Sequence, residues 1–142
     1  MLRYDTVGAR AAFSLRFSDL GHNGGLNAAL PGARFLVNTE RGPVSAAANR
    51  RPESGWHHLA GVYDGRAIKL YIDGELAGSR SASGRIVRPG VPLTVGQLGG
   101  GGGRFDGTIA DVRISAGART AEWIRTTYET LRDPAGFCRQ TE

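Results

Sequence analysis

Two Asp-Gly dipeptides punctuating an alternating apolar stretch restrict this chain more than any other feature. Trp56-His57-His58-Leu59-Ala60-Gly61-Val62-Tyr63 runs into Asp64-Gly65, and Ile68-Lys69-Leu70-Tyr71-Ile72 runs into Asp73-Gly74, with residues 75–80 returning from the second turn. Glycine at each of these points accepts the positive φ that a tight hairpin turn imposes. Ile68, Leu70 and Ile72 repeat with a period of two and so share one face, which leaves Lys69 and a solvent-facing Tyr71 on the other. Three strands joined by two short turns make an antiparallel meander.

Further strands are predicted at residues 11–17, 34–38, 44–48, 93–97 and 108–115. In the last, Ile109 and Ile114 frame Val112, so the alternation is imperfect. Short strands between Gly- and Pro-rich turns specify a sandwich or barrel. The glycine run 99–103 reads as a loop between strands; it lacks the Lys-Ser/Thr that ends a phosphate-binding loop. One segment changes period. Trp123, Ile124, Thr127, Tyr128 and Leu131 fall on one helical face, with Thr120 as N-cap, Glu122 in the first turn and Asp133-Pro134 as the stop. The expected fold is an all-β antiparallel sandwich with one short C-terminal helix that turns Trp123 inward. It forms one domain over residues 1–137, with a loose tail over 138–142.

The chain has 142 residues, enough for one core, and its 40% hydrophobic and 22% charged content argues against disorder. No apolar run is long enough to span a bilayer, and the first residues lack the pattern of a signal peptide. The net charge of +5 raises the question of nucleic acid. Lys69 is the only lysine, the arginines are scattered, and Arg50-Arg51 is their only adjacent pair. A nucleic-acid surface clusters its cations or interleaves them with stacking aromatics, so no nucleic-acid partner is expected. Cys138 is the single cysteine, which excludes an internal disulfide, and no Cys/His set has zinc-ligand spacing.

Three segments in order carry a resemblance. Residues 55–65 with Lys69-Leu70-Tyr71-Ile72-Asp73-Gly74, then Phe105-Asp106-Gly107-Thr108-Ile109-Ala110-Asp111-Val112-Arg113-Ile114, then 119–137 resemble the bacterial laminin G-like jelly-roll domains of concanavalin A-like type. Where such domains carry an acidic pair after the isoleucine of the late strand, this chain has Ala110 and then Asp111. They also have strands ahead of the region that 11–38 matches, so the resemblance implies an N-terminally truncated domain, with open sheet edges, or a mis-called start. It implies a carbohydrate- or protein-binding module within a larger secreted or surface-attached protein; a structural spacer without a ligand is the alternative. It also admits a calcium ion, for which Asp64, Asp106 and Asp111 are the available loop or strand-end acids.

Sandwiches of this type also include glycoside hydrolases, which need two carboxylates about 5 Å or about 6.5–9.5 Å apart across the scissile bond. No strand here alternates Glu and Asp, and Asp73 sits in a turn, so no enzyme is expected. His57 and His58 are neighbours in an extended segment and face opposite ways, so they cannot share one metal. If Trp56 faces the core, His58 does too, as a hydrogen-bonded core histidine. Ligand contacts are expected from rim loops. His22, Asn23 and Asn27 sit in a polar stretch with amides suited to sugar hydroxyls, though any long hairpin loop has this composition, and Tyr71 is placed to stack on a sugar ring.

Overall fold

The alternation read along the chain reappears as two stacked meanders. The structure, a computed structural model, describes residues 13–18, 32–48, 53–87, 90, 92–97 and 105–137. One sheet comprises β1 (Phe13–Ser18), β2 (Gly32–Thr39) and β3 (Gly42–Ala47); the other comprises β4 (Leu59–Tyr63), β5 (Ala67–Ile72) and β6 (Glu75–Ser81). Every pairing is antiparallel and each sheet follows chain order. β2 lies over β5, β1 over β4 and β3 over β6. The predicted all-β sandwich with one short C-terminal helix is therefore the fold that forms.

The period-two faces dictate the stacking. Ala33, Phe35 and Val37 of β2 meet Ile68, Leu70 and Ile72 of β5, with Ala46 and Ala48 closing the same core. Each fully buried aliphatic side chain there contributes about 1.5–3 kcal/mol over its exposed state. The sheets come close because two positions lack a side chain. A Cβ at Gly61 would collide with the Phe35 ring, and one at Gly78 would collide with the Ala47 carbonyl. After β6 the chain crosses back to the first sheet, where Thr39 bridges Ile86 and Val87 N donates to the Asn38 carbonyl at 2.9 Å.

Turn chemistry sets the register. Asp64 Oδ1 accepts from the backbone N–H groups of Arg66 (2.8 Å) and Ala67 (2.7 Å), which closes the β4–β5 turn. In the β5–β6 turn Asp73 and Gly74 both adopt positive φ, 53° and 80°, the pairing that lets a two-residue hairpin follow the twist of its strands.

Sheet β4-β5-β6 is covered on its outer face as well. α1 (Ala121–Arg132) starts at Thr120, whose Oγ1 accepts from Trp123 N at 3.2 Å, and is followed by the single turn α2 (Pro134–Phe137). The helix inserts Ile124, 1% exposed, against Val62 and Tyr71. Of the helical face expected from sequence, Ile124, Thr127 and Tyr128 are covered in whole or in part, while Trp123 and Leu131 stay exposed, and the inward placement of Trp123 is corrected. Trp123 remains 41% exposed beneath the Arg119 guanidinium, 4.9 Å from the ring centroid.

Three further expectations are revised. β4 begins at Leu59, and Trp56 is 72% exposed rather than in the core. Residues 93–97 form no strand, having no ladder partner among the described residues. Nor do residues 108–115: Asp111 takes a positive φ of 53°, which breaks the extended path midway and leaves Ile109, Val112 and Ile114 exposed.

The two bare glycines should be ranked by what they face. Overpacking costs about 1–3 kcal/mol. Gly78→Ala meets a fixed backbone carbonyl and should fall at the upper end, whereas Gly61→Ala meets a ring that can tilt and should cost less. Urea denaturation of both variants checks this, and an equal or reversed order would contradict the packing described.

Candidate functional site

The β5–β6 turn and the helix enclose an open groove of about 610 Å³. Asp73 and Glu75 line it from the turn, Arg125, Tyr128, Glu129 and Arg132 from α1, and Asp133 from the helix end. Their positions follow from local packing. Gly74 has no side chain, so the helix settles directly on the turn; a Cβ there would stand 3.1 Å from the Tyr128 ring and 3.2 Å from the Arg125 backbone. Arg132 lies over the Tyr128 ring at 5.7 Å, and Arg125 Nε donates to Glu129 at 3.1 Å. The groove thus sets both signs of charge and one aromatic side chain on a single open surface.

Asp73 anchors the floor. Its Oδ1 accepts from the His58 backbone N–H at 3.0 Å, and its own N–H donates to the His58 carbonyl at 2.9 Å. Its Oδ2 lies 2.8 Å from His57 Nδ1. His57 Nε2 lies 2.9 Å from the Glu53 carbonyl oxygen. Both ring nitrogens therefore face acceptors, and only the imidazolium, with two N–H groups, satisfies both. The bond to Asp73 raises the His57 pKa above its ordinary 6.5, against the opposing pull of partial burial and with help from the Glu53 carbonyl.

His58 behaves in the opposite sense. Its ring sits 6.3 Å from that of Tyr128, and burial lowers its pKa below 6.5, keeping it neutral. Its Nδ1 is buried without a hydrogen-bond partner among the described residues, so the expected hydrogen-bonded core histidine is not realised at that atom.

Of the residues singled out from sequence, His22, Asn23 and Asn27 lie outside the described residues. Tyr71 is 5% exposed, packed between Val62 and Ile124, and so cannot stack on a sugar. Period two did place it on the outer face of β5; the helix covers that face. Asp64 spends its Oδ1 on two backbone N–H groups, which hold its carboxyl below the usual range, and its Oδ2 lies 3.4 Å from Lys69 Nζ. Asp111 pairs with Arg113 Nε at 2.7 Å, and Asp106 is exposed beside Gly107. Among the described residues no three His, Cys, Asp or Glu side chains gather as a metal site. Asp64, Asp106 and Asp111 do not form such a group with one another. The groove residues were missed because Asp73 is fully accounted for as a turn residue until the helix is seen resting on it.

The two histidines pull stability in opposite directions with pH. His57 has a folded pKa above its unfolded value, so its contribution is complete below about pH 6.5 and fades as pH climbs through the folded pKa. For His58 the folded pKa is depressed, so its contribution is present above about pH 6.5 and fades as pH falls through the folded value. His57→Gln should cost about 0.5–1 kcal/mol on the acid side, the pair being partly exposed and screened. That cost should shrink toward zero in alkaline solution. Denaturation curves across the range check the sign, and a cost that grew with pH would contradict it.

No curated protein matches the chain. A crystal structure of an S-layer domain-containing protein from Clostridium thermocellum ATCC 27405 is similar, with a TM-score of 0.47 and 20% identity over 90% of this chain. The match covers 66% of that protein's chain, just under two thirds of its length. Among the described residues, no helix is long and apolar enough to cross a membrane. The family profile of the concanavalin A-like lectin/glucanases superfamily, of laminin G type, matches residues 3–125, a span that takes in all six strands described and the first turn of α1. With two stacked antiparallel sheets beneath that match, the chain belongs to the concanavalin A-like lectin/glucanase superfamily.

Proposed function

We propose that the chain is a non-catalytic recognition module for carbohydrate, acting within a larger secreted or surface-attached protein, and that it binds at the groove between the β5–β6 turn and α1. One observation carries the reading: carboxylates, guanidinium groups and Tyr128 share a single open groove. Carboxylates and guanidinium groups accept or donate hydrogen bonds in pairs, matching the adjacent hydroxyls of a sugar. Membership of a superfamily of lectins and glucanases supports the ligand class. Against catalysis stands the use of Asp73, whose two oxygens already accept from His57 and His58. A carboxylate so engaged is poorly placed to act as nucleophile or acid.

A glycan array probed with the chain, with and without calcium, tests the reading. Saturable binding to one glycan class is the expected result. Glu75→Ala and Arg132→Ala, both at exposed groove positions, should each weaken it about tenfold, equivalent to about 1.4 kcal/mol. Silence across the array would overturn the carbohydrate reading in favour of a protein ligand or a spacer, and sugar release from a polysaccharide panel would overturn the non-catalytic one.

A further inference from the structure

Among the described residues, the connection that enters β4 is fastened at Glu53. Glu53, Ser54, Gly55 and Trp56 are all exposed, and Gly55 adopts a positive φ of 139°. Among the described residues, the one hydrogen bond that holds this stretch joins the Glu53 carbonyl to His57 Nε2 at 2.9 Å. The other side of the same ring is bonded to Asp73 in the turn that floors the groove.

We propose that His57 is a pH-operated latch that, when protonated, ties the connection carrying Trp56 to the β5–β6 turn, and releases it when neutral. Protonation supplies both N–H groups that the two acceptors require. A neutral ring keeps one hydrogen. The carboxylate is the stronger acceptor, so that hydrogen stays on Nδ1, facing Asp73. Nε2 then presents a lone pair to the Glu53 carbonyl, two acceptors face each other, and the tether is lost. The bond to Asp73 survives, so the turn and the helix above it stay in place while the connection swings free. The charged groups facing His57 are Asp73 from the turn and Glu53 from the connection, and both favour the protonated ring. His58, next along the chain, feels Asp73, Asp111 and Arg113 and is held neutral by burial, so it titrates on the other side of 6.5. The raised pKa of His57 sets the release point above 6.5. The latch does not depend on what the groove binds.

The test uses the full chain carrying Trp123→Phe, which leaves Trp56 as its single tryptophan. NMR titration follows the His57 ring, and fluorescence anisotropy follows Trp56. Trp56 anisotropy should fall as pH rises, with the same midpoint as His57 and above 6.5. Asp73→Asn removes the charge that favours the imidazolium, and should move both midpoints downward together. His57→Gln cannot titrate, so it should abolish the anisotropy step whether or not the Asp73 variant folds. A His57 midpoint at or below 6.5, a flat Trp56 signal across it, or a step that persists in His57→Gln would overturn the latch.

Discussion

Everything in this molecule depends on β5 being buried on both faces. Ile68, Leu70 and Ile72 face the first sheet and Tyr71 faces the helix, so one six-residue strand is the common wall of two apolar layers. A strand in that position cannot slip by one residue without exchanging its two faces, which would set Lys69 in the sheet-to-sheet core. The turns at either end hold it against such a slip. Asp64 closes one with its carboxylate, and Asp73 and Gly74 close the other through positive φ. The groove exists because the second turn lies where the helix must land to cover Tyr71.

The meander was legible because its determinants are local. Period two, an Asp-Gly dipeptide and strand length are all carried by neighbouring residues, and they placed β4, β5 and β6 almost where they occur. The Thr120 cap and the Asp133-Pro134 stop were legible for the same reason. What failed was assignment to faces where a non-local element decides the outcome. Trp123 and Ile124 sit one residue apart on the same broad apolar stripe, and only the position of Val62 and Tyr71 selects Ile124 for burial. Tyr71 was read as solvent-facing because nothing within residues 67–72 reports a helix starting some fifty positions later. The 108–115 segment has strand composition, but a strand needs a hydrogen-bonded neighbour, and composition cannot supply one.

The site was legible in part. The β4–β5 ladder pairs Leu59 with Ile72 and Tyr63 with Ile68. Extending that register by one residue sets His58 opposite Asp73, where the backbone and carboxylate bonds between them are found. A two-residue Asp64-Gly65 turn would set Tyr63 opposite Arg66, so the observed pairing also needs the four-residue loop 64–67 that the Asp64 carboxylate closes. The participation of Arg125, Tyr128, Glu129 and Arg132 is a different matter, since it follows from where the helix docks. Of the loop acids, Asp64 is bonded within its own turn, Asp111 pairs with Arg113, and Asp106 is exposed beside Gly107.

The contact between Gly61 and the Phe35 ring reaches beyond this one chain. The residues belong to different sheets and are 26 positions apart, yet the volume of one is the space left by the other. Close packing makes the two positions sterically dependent on each other. Within the superfamily a bulkier residue at the β4 position should be accompanied by a smaller one at its β2 counterpart, so that the combined size of the two varies less than either alone.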